Sequence, residues 1–139
     1  MTPPGADHLS MRRRLLGPIL AAAIATALVA APASARAPVQ RRGLCDVAPT
    51  HWTLNVQKGA VLGTLRIRFV VREATPTNVW QILLSDGNRR LPAVDRPVGT
   101  DGALRLIRVI HNRPGHDHIM VFATQTQGEV NTCSASVTF

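Results

Sequence analysis

The residues with the clearest capacity for chemistry are three imidazoles and a carboxylate within eight positions, His111-Asn112-Arg113-Pro114-Gly115-His116-Asp117-His118. Neutral imidazole suits zinc, copper and nickel, so His111, His116 and His118 form a candidate ligand set for a metal-binding protein or metalloenzyme. The competing reading is a solvated corner. A Pro-Gly turn does not by default converge rings on either side of it, and a His-x-His pair on a strand needs a third ligand from elsewhere. Asp117 fits a corner residue whose carboxylate accepts hydrogen bonds from nearby backbone donors. The solvated corner is preferred, with no metal and no cofactor expected.

Hydrolytic chemistry finds less support. The chain has no G-x-S-x-G and no H-E-x-x-H, its carboxylates fall mostly in turns, and it lacks a glycine-rich phosphate loop. Ser85 and His51 are conceivable as nucleophile and base, but their spacing does not favour the pairing. The chain is therefore not expected to be an enzyme, and no catalytic residue is assigned.

What must position any functional group is a set of strands. Val79 to Ser85 reads as the central one, with Trp80, Ile82 and Leu84 on one face and the turn dipeptide Asp86-Gly87 closing it. Trp52 to Gln57 alternates, as does Thr64 to Arg72, where Leu65, Ile67, Phe69 and Val71 oppose Thr64, Arg66, Arg68, Val70 and Arg72. Arg89 to Asp95 suits an edge strand that tolerates Pro92. Ala103 to Ile110 follows, with Leu104 and Leu106 inward and a bulge near Ile107. His118 to Thr124 and Val130 to Phe139 complete the set. About seven short strands at this spacing predict an all-β fold, an antiparallel two-sheet sandwich over 45–139.

The residues before this domain divide in two. Arg12-Arg13-Arg14, the apolar run from Leu15 to Ala31 and Ala33-Ser34-Ala35 have the order of a signal peptide, expected as a helical leader over 1–35, with Met11 an alternative start. A membrane anchor is the competing reading, opposed by Pro18 and the small-residue cleavage site. The arginines fit an ordinary export signal or a twin-arginine one. Residues 36–44, with Pro38 and Arg41-Arg42, lack apolar periodicity and are expected to be a flexible tail. Beyond residue 35 there are thirteen basic residues against seven acidic ones, a net charge of +6. Twelve of the thirteen are arginine, a bias that also fits high-GC bacterial coding.

Cys45 and Cys133 are the only cysteines. In an exported chain they are expected to pair, and closing so long a loop is worth roughly 4–5 kcal/mol on the chain-entropy model. A tryptophan in the third strand, the Pro-Gly-x-Asp corner at Pro114 to Asp117 and the Ser/Thr alternation of the last strand resemble the immunoglobulin-like or fibronectin-III-like β-sandwich. Through Cys45 with Trp52 seven residues on, Trp80 and Cys133, the segment is also similar to small secreted actinobacterial proteins of unassigned function. Cys45 stands too far before Trp80 for the usual inter-sheet pair of that superfold. The bridge is expected instead to tie the N-terminal segment to the last strand.

Two surfaces follow. If Thr64–Arg72 pairs with Ala103–Ile110, then Arg66, Arg68 and Arg105 form a basic stripe suited to an anionic polymer; without interleaved aromatics, nucleic acid is disfavoured. On the other sheet Leu83, Met120 and Phe122 face outward as an apolar contact patch, for a homodimer or another protein. The expected function is a secreted, non-catalytic binding or adhesion module acting outside the cell membrane. Its place would be extracellular or cell-wall associated, and its partner a protein or cell-envelope component.

Overall fold

The computed structural model describes residues 36–139. The leader expected over 1–35 lies outside the described residues. Among the described residues all regular elements are strands: β1 (Val39–Leu44), β2 (His51–Lys58), β3 (Thr64–Arg72), β4 (Val79–Asp86), β5 (Arg89–Arg90), β6 (Val94–Pro97), β7 (Leu104–His111), β8 (His118–Gln125) and β9 (Thr132–Thr138). They form two antiparallel sheets, one ordered β1-β2-β3-β7 and the other β5-β4-β8-β9, with β6 also on β4. The arrangement is an all-β sandwich compatible with an immunoglobulin-like fold.

Period-two alternation builds the core. β2 contributes Trp52, Leu54 and Val56, β3 contributes Leu65, Ile67, Phe69 and Val71, and β7 contributes Leu104, Leu106 and Ile110. Facing them are Trp80, Ile82 and Leu84 from β4, Ile119, Val121 and Ala123 from β8, and Cys133, Ala135 and Val137 from β9. Trp80 is fully enclosed. The Trp52 and Phe69 rings stack with centroids 6.5 Å apart. Burying an aromatic or large aliphatic side chain contributes about 1.5–3 kcal/mol, so this two-sided apolar layer dominates the stability.

Three expectations need correction. Residues 39–44 are not a flexible tail: β1 pairs with β2 along its whole length, from Val39 opposite Val56 to Leu44 opposite His51. Its inward side carries Val39, which packs against the core, then Arg41, then Gly43, which passes over a large ring. A Cβ built on Gly43 would lie 2.5 Å from the Trp52 ring, so only glycine lets the strand settle there. β7 carries no bulge; its register with β3 is unbroken from Val71 opposite Leu104 to Thr64 opposite His111. Ile107 and Val109 are apolar residues on the outer face, both more than half exposed. The edge strand is split in two. Arg90 opposes Ser85 and Val94 opposes Ile82, so the Leu91-Pro92-Ala93 segment holds one residue more than the strand it crosses. Pro92 has no N–H for a ladder, which makes it a natural place for that bulge.

The N-terminal segment is fastened to β9. Cys45 and Cys133 form a disulfide with Cα atoms 4.3 Å apart. Asp46 N donates to Thr132 O at 2.8 Å. Buried Asn131 accepts from Val47 N at 3.0 Å and donates to Thr50 Oγ1 at 3.1 Å. One covalent bond, a backbone hydrogen bond and the hydrogen bonds of Asn131, of which that to Thr50 is buried, therefore close the same side of the sandwich.

Candidate functional site

The histidine corner does not assemble a ligand set. His111 ends β7 on the outer face of the four-stranded sheet, since it continues the outward series Arg105, Ile107 and Val109. His118 opens β8 on the outer face of the other sheet, where its Nδ1 lies 3.3 Å from Thr138 Oγ1. The two rings leave the sandwich in opposite directions. His116 is exposed in the intervening loop. Among the described residues no group of three or more His, Cys, Asp or Glu side chains is close enough to hold a metal ion.

Asp117 organises this corner. Its backbone exchanges hydrogen bonds with Phe139 at 3.0 and 2.9 Å, and its buried carboxylate accepts from Arg113 N at 3.4 Å. Arg113 Nε in turn lies 3.8 Å from Oδ2 of the buried Asp86. Ser85 and His51 also stand on opposite outer faces, which leaves them unable to act as nucleophile and base.

The outer face of the four-stranded sheet gathers charge. Antiparallel register aligns its outward side chains in five rows, Thr64 with His111 at one end and four more beside it: Leu44, His51 and Arg72; Arg42, Thr53, Val70 and Arg105; Gln40, Asn55, Arg68 and Ile107; Gln57, Arg66 and Val109. Across these rows runs an open groove of about 530 Å³, whose lining includes Arg42, Arg66, Arg68 and Arg72. All four arginines are exposed. The ion pairs among the described residues are His51–Glu73, Arg105–Asp101 and Arg113–Asp86, so none of the four is neutralised by a carboxylate. Gln40, with its carboxamide turned to suit, accepts from Arg42 Nε and Nη2 at 2.9 Å each. Val70, between the arginine positions on β3, is buried despite facing outward.

This groove keeps Arg66 and Arg68 of the expected stripe, lacks Arg105 and adds Arg42 and Arg72. Arg105 is committed to Asp101, donating through both terminal nitrogens to the two carboxylate oxygens. That hydrogen bond, with another from Ala103 N, holds the Asp101 carboxyl below the usual range and raises the Arg105 guanidinium. Arg72 and Arg42 take its place. Arg72 continues the alternation of β3 and was visible as such, whereas Arg42 joins only because β1 is a strand.

On the other sheet Leu83, Met120 and Phe122 are 44%, 48% and 47% exposed. Leu83 and Phe122 are directly opposite each other, and Met120 opposes Ser85. No protein-family model matches the chain, and neither a curated protein nor a solved structure shows significant similarity to it.

Proposed function

We propose that the chain is a non-catalytic binding module working outside the cell membrane, and that its working surface is the arginine groove on the outer face of the four-stranded sheet, which takes an anionic polymer. The observation that carries this reading is the row arrangement: four exposed guanidiniums converge on one groove, and no carboxylate among the described residues pairs with any of them. A planar guanidinium offers five donors and keeps its charge at every physiological pH, so four together favour phosphate, sulfate or carboxylate groups over neutral ligands. The rigid sheet fixes their spacing without help from a bound group. The Cys45–Cys133 disulfide is compatible with the extracellular place.

The experiment compares two charge-matched triple variants on an immobilised dextran sulfate column. Arg42→Gln/Arg66→Gln/Arg68→Gln empties the groove, while Arg89→Gln/Arg90→Gln/Arg96→Gln removes the same charge from the β5–β6 edge. The first is expected to elute at much lower salt than the second, with both melting at the parent temperature. Equal elution of the two variants refutes the groove as the working surface.

A further inference from the structure

Resting on that reading, we propose that the ligand is a linear phosphodiester polymer with polyol units, lying along β3 with one phosphate to each row of the groove. Each of the four rows carries one guanidinium that is free of ion pairs among the described residues: Arg72, Arg68 and Arg66 stand on β3 itself, and in the row of Val70 the guanidinium is that of Arg42 on β1, two strands to the side but lining the same groove. Successive outward residues on a strand are roughly 7 Å apart, so the ladder of positive charge has that step along the strand direction. A three-carbon polyol phosphate repeats every six backbone bonds, and six extended bonds span roughly 7 Å by the same bond geometry that gives two peptide residues that length. Measured along the strand the two repeats match, with Arg42 flanking the β3 line by two strand spacings, roughly 10 Å.

What stands between the guanidiniums selects the unit that joins the phosphates. Thr53, Asn55, Gln57 and Gln40 place a hydroxyl and three carboxamides among the arginines. Carboxamides both donate and accept, which suits the free hydroxyls of a polyol. Along the β7 side, Ile107 and Val109 form an apolar shoulder beside Arg68 and Arg66, where carbon–hydrogen groups of the polymer can rest. A single-stranded nucleic acid has the same six-bond phosphate repeat but also carries bases, which are held by stacking on aromatic rings. Apart from the His51 imidazole at one end, the groove lining is free of aromatic side chains. The polyol polymer thus uses every feature of the groove, and the nucleic acid leaves its bases without a platform.

The test uses the full-length exported protein and fluorescence anisotropy with three probes: a labelled poly(glycerol phosphate) of about eight units, an oligothymidylate with the same number of phosphates, and glycerol phosphate alone as competitor. The expected result is saturable binding of the glycerol polymer, weaker binding of the oligothymidylate, and no competition from the monomer at equal phosphate concentration. Each of Arg42→Gln, Arg66→Gln, Arg68→Gln and Arg72→Gln should lower polymer affinity about fivefold, the scale of one exposed cation at an anionic surface. Each should also reduce the slope of log affinity against log salt by about 0.7. Asn55→Leu should weaken the glycerol polymer while sparing the oligothymidylate. Equal or tighter binding of the oligothymidylate overturns the proposal in favour of a nucleic-acid ligand. Dextran sulfate bound more tightly than either, with the same losses in the arginine variants, overturns the phosphodiester class but preserves the groove as a polyanion site. Failure of all these polyanions to bind removes both readings together.

Discussion

The two outer faces of the sandwich share one kind of foundation and present opposite chemistry. Beneath each, the inward side chains are aliphatic or aromatic and alternate at period two. Above the four-stranded sheet stand Arg42, Arg66, Arg68, Arg72 and Arg105. Above the strands β4, β8 and β9 stand Val79, Gln81, Leu83, Ser85, His118, Met120, Phe122, Thr124 and a row of Ser and Thr, with no Arg, Lys, Asp or Glu; on this face charge enters only at the β5–β6 edge, with Arg90 beside Ser85 and Asp95 beside Gln81. The interior sets the architecture and leaves the exterior free to vary, so the contrast between faces carries information about function that the fold does not.

The change that breaks both faces together has the largest expected effect. Cys45→Ala/Cys133→Ala opens the link across 88 positions and should lower stability by roughly 4–5 kcal/mol, read as the urea midpoint. Because Arg42 stands three residues before Cys45, polyanion affinity should fall with it. The next largest separates inner from outer positions on a single strand. Phe69→Ala removes a fully buried ring against Trp52 and should cost about 3–5 kcal/mol, measured by calorimetry. Its neighbour Arg68→Gln should stay within about 0.5 kcal/mol of the parent.

A smaller change tests whether β1 belongs to the charged face. Gly43→Ala forces a methyl group against the Trp52 ring, an overpacking expected to cost about 1–3 kcal/mol. As β1 shifts to relieve it, Arg42 leaves its row, so polyanion retention should fall although no arginine has been removed. Unchanged retention would show that β1 contributes nothing to the groove. On the neutral face, Phe122→Thr removes one member of the cross-strand pair with Leu83 and should cost about 0.2–1 kcal/mol. Polyanion affinity should be unaltered, which a salt-elution profile will read directly.

How much of this was legible depended on whether the cause lay within a strand or between strands. The inward sets of β2, β3, β4, β8 and β9 could be read from alternation alone, as could the direction of Arg66, Arg68 and Leu83. Cys45 and Cys133 could be paired because no other cysteine competes. β1 could not be read, because its order comes from β2, from the Trp52 ring that demands Gly43 and from the bridge just beyond it, none of which leaves a local period. Ile107 and Val109 suggested a bulge because apolar residues were assumed to face inward, whereas β7 is a sheet-edge strand with half-exposed aliphatic residues. His111 and His118 were separable only once their strands were assigned to different sheets. The commitment of Arg105 was different: Asp101 lies four residues earlier, close enough to have been weighed as a partner.

That local pair sets the smallest expected effect and draws the boundary of the charged face. The Arg105 hydrogen bond, with that from Ala103 N, keeps the folded-state Asp101 carboxyl below its ordinary value. A group depressed in this way stabilises the fold above its unfolded-state value, and the contribution is lost as pH falls through the folded-state value. Both side chains are about half exposed, so the effect is modest. Asp101→Asn removes the charge while its side-chain oxygen can still accept from Ala103 N. Near neutrality it should melt slightly below the parent, and the two melting temperatures should converge as the solution is acidified past the depressed value. At neutral pH the freed Arg105, in the same row as Arg42, should raise polyanion affinity by less than the fivefold lost at each groove arginine. A full fivefold gain would instead extend the groove to β7 and make Asp101 a limit on the ligand's reach.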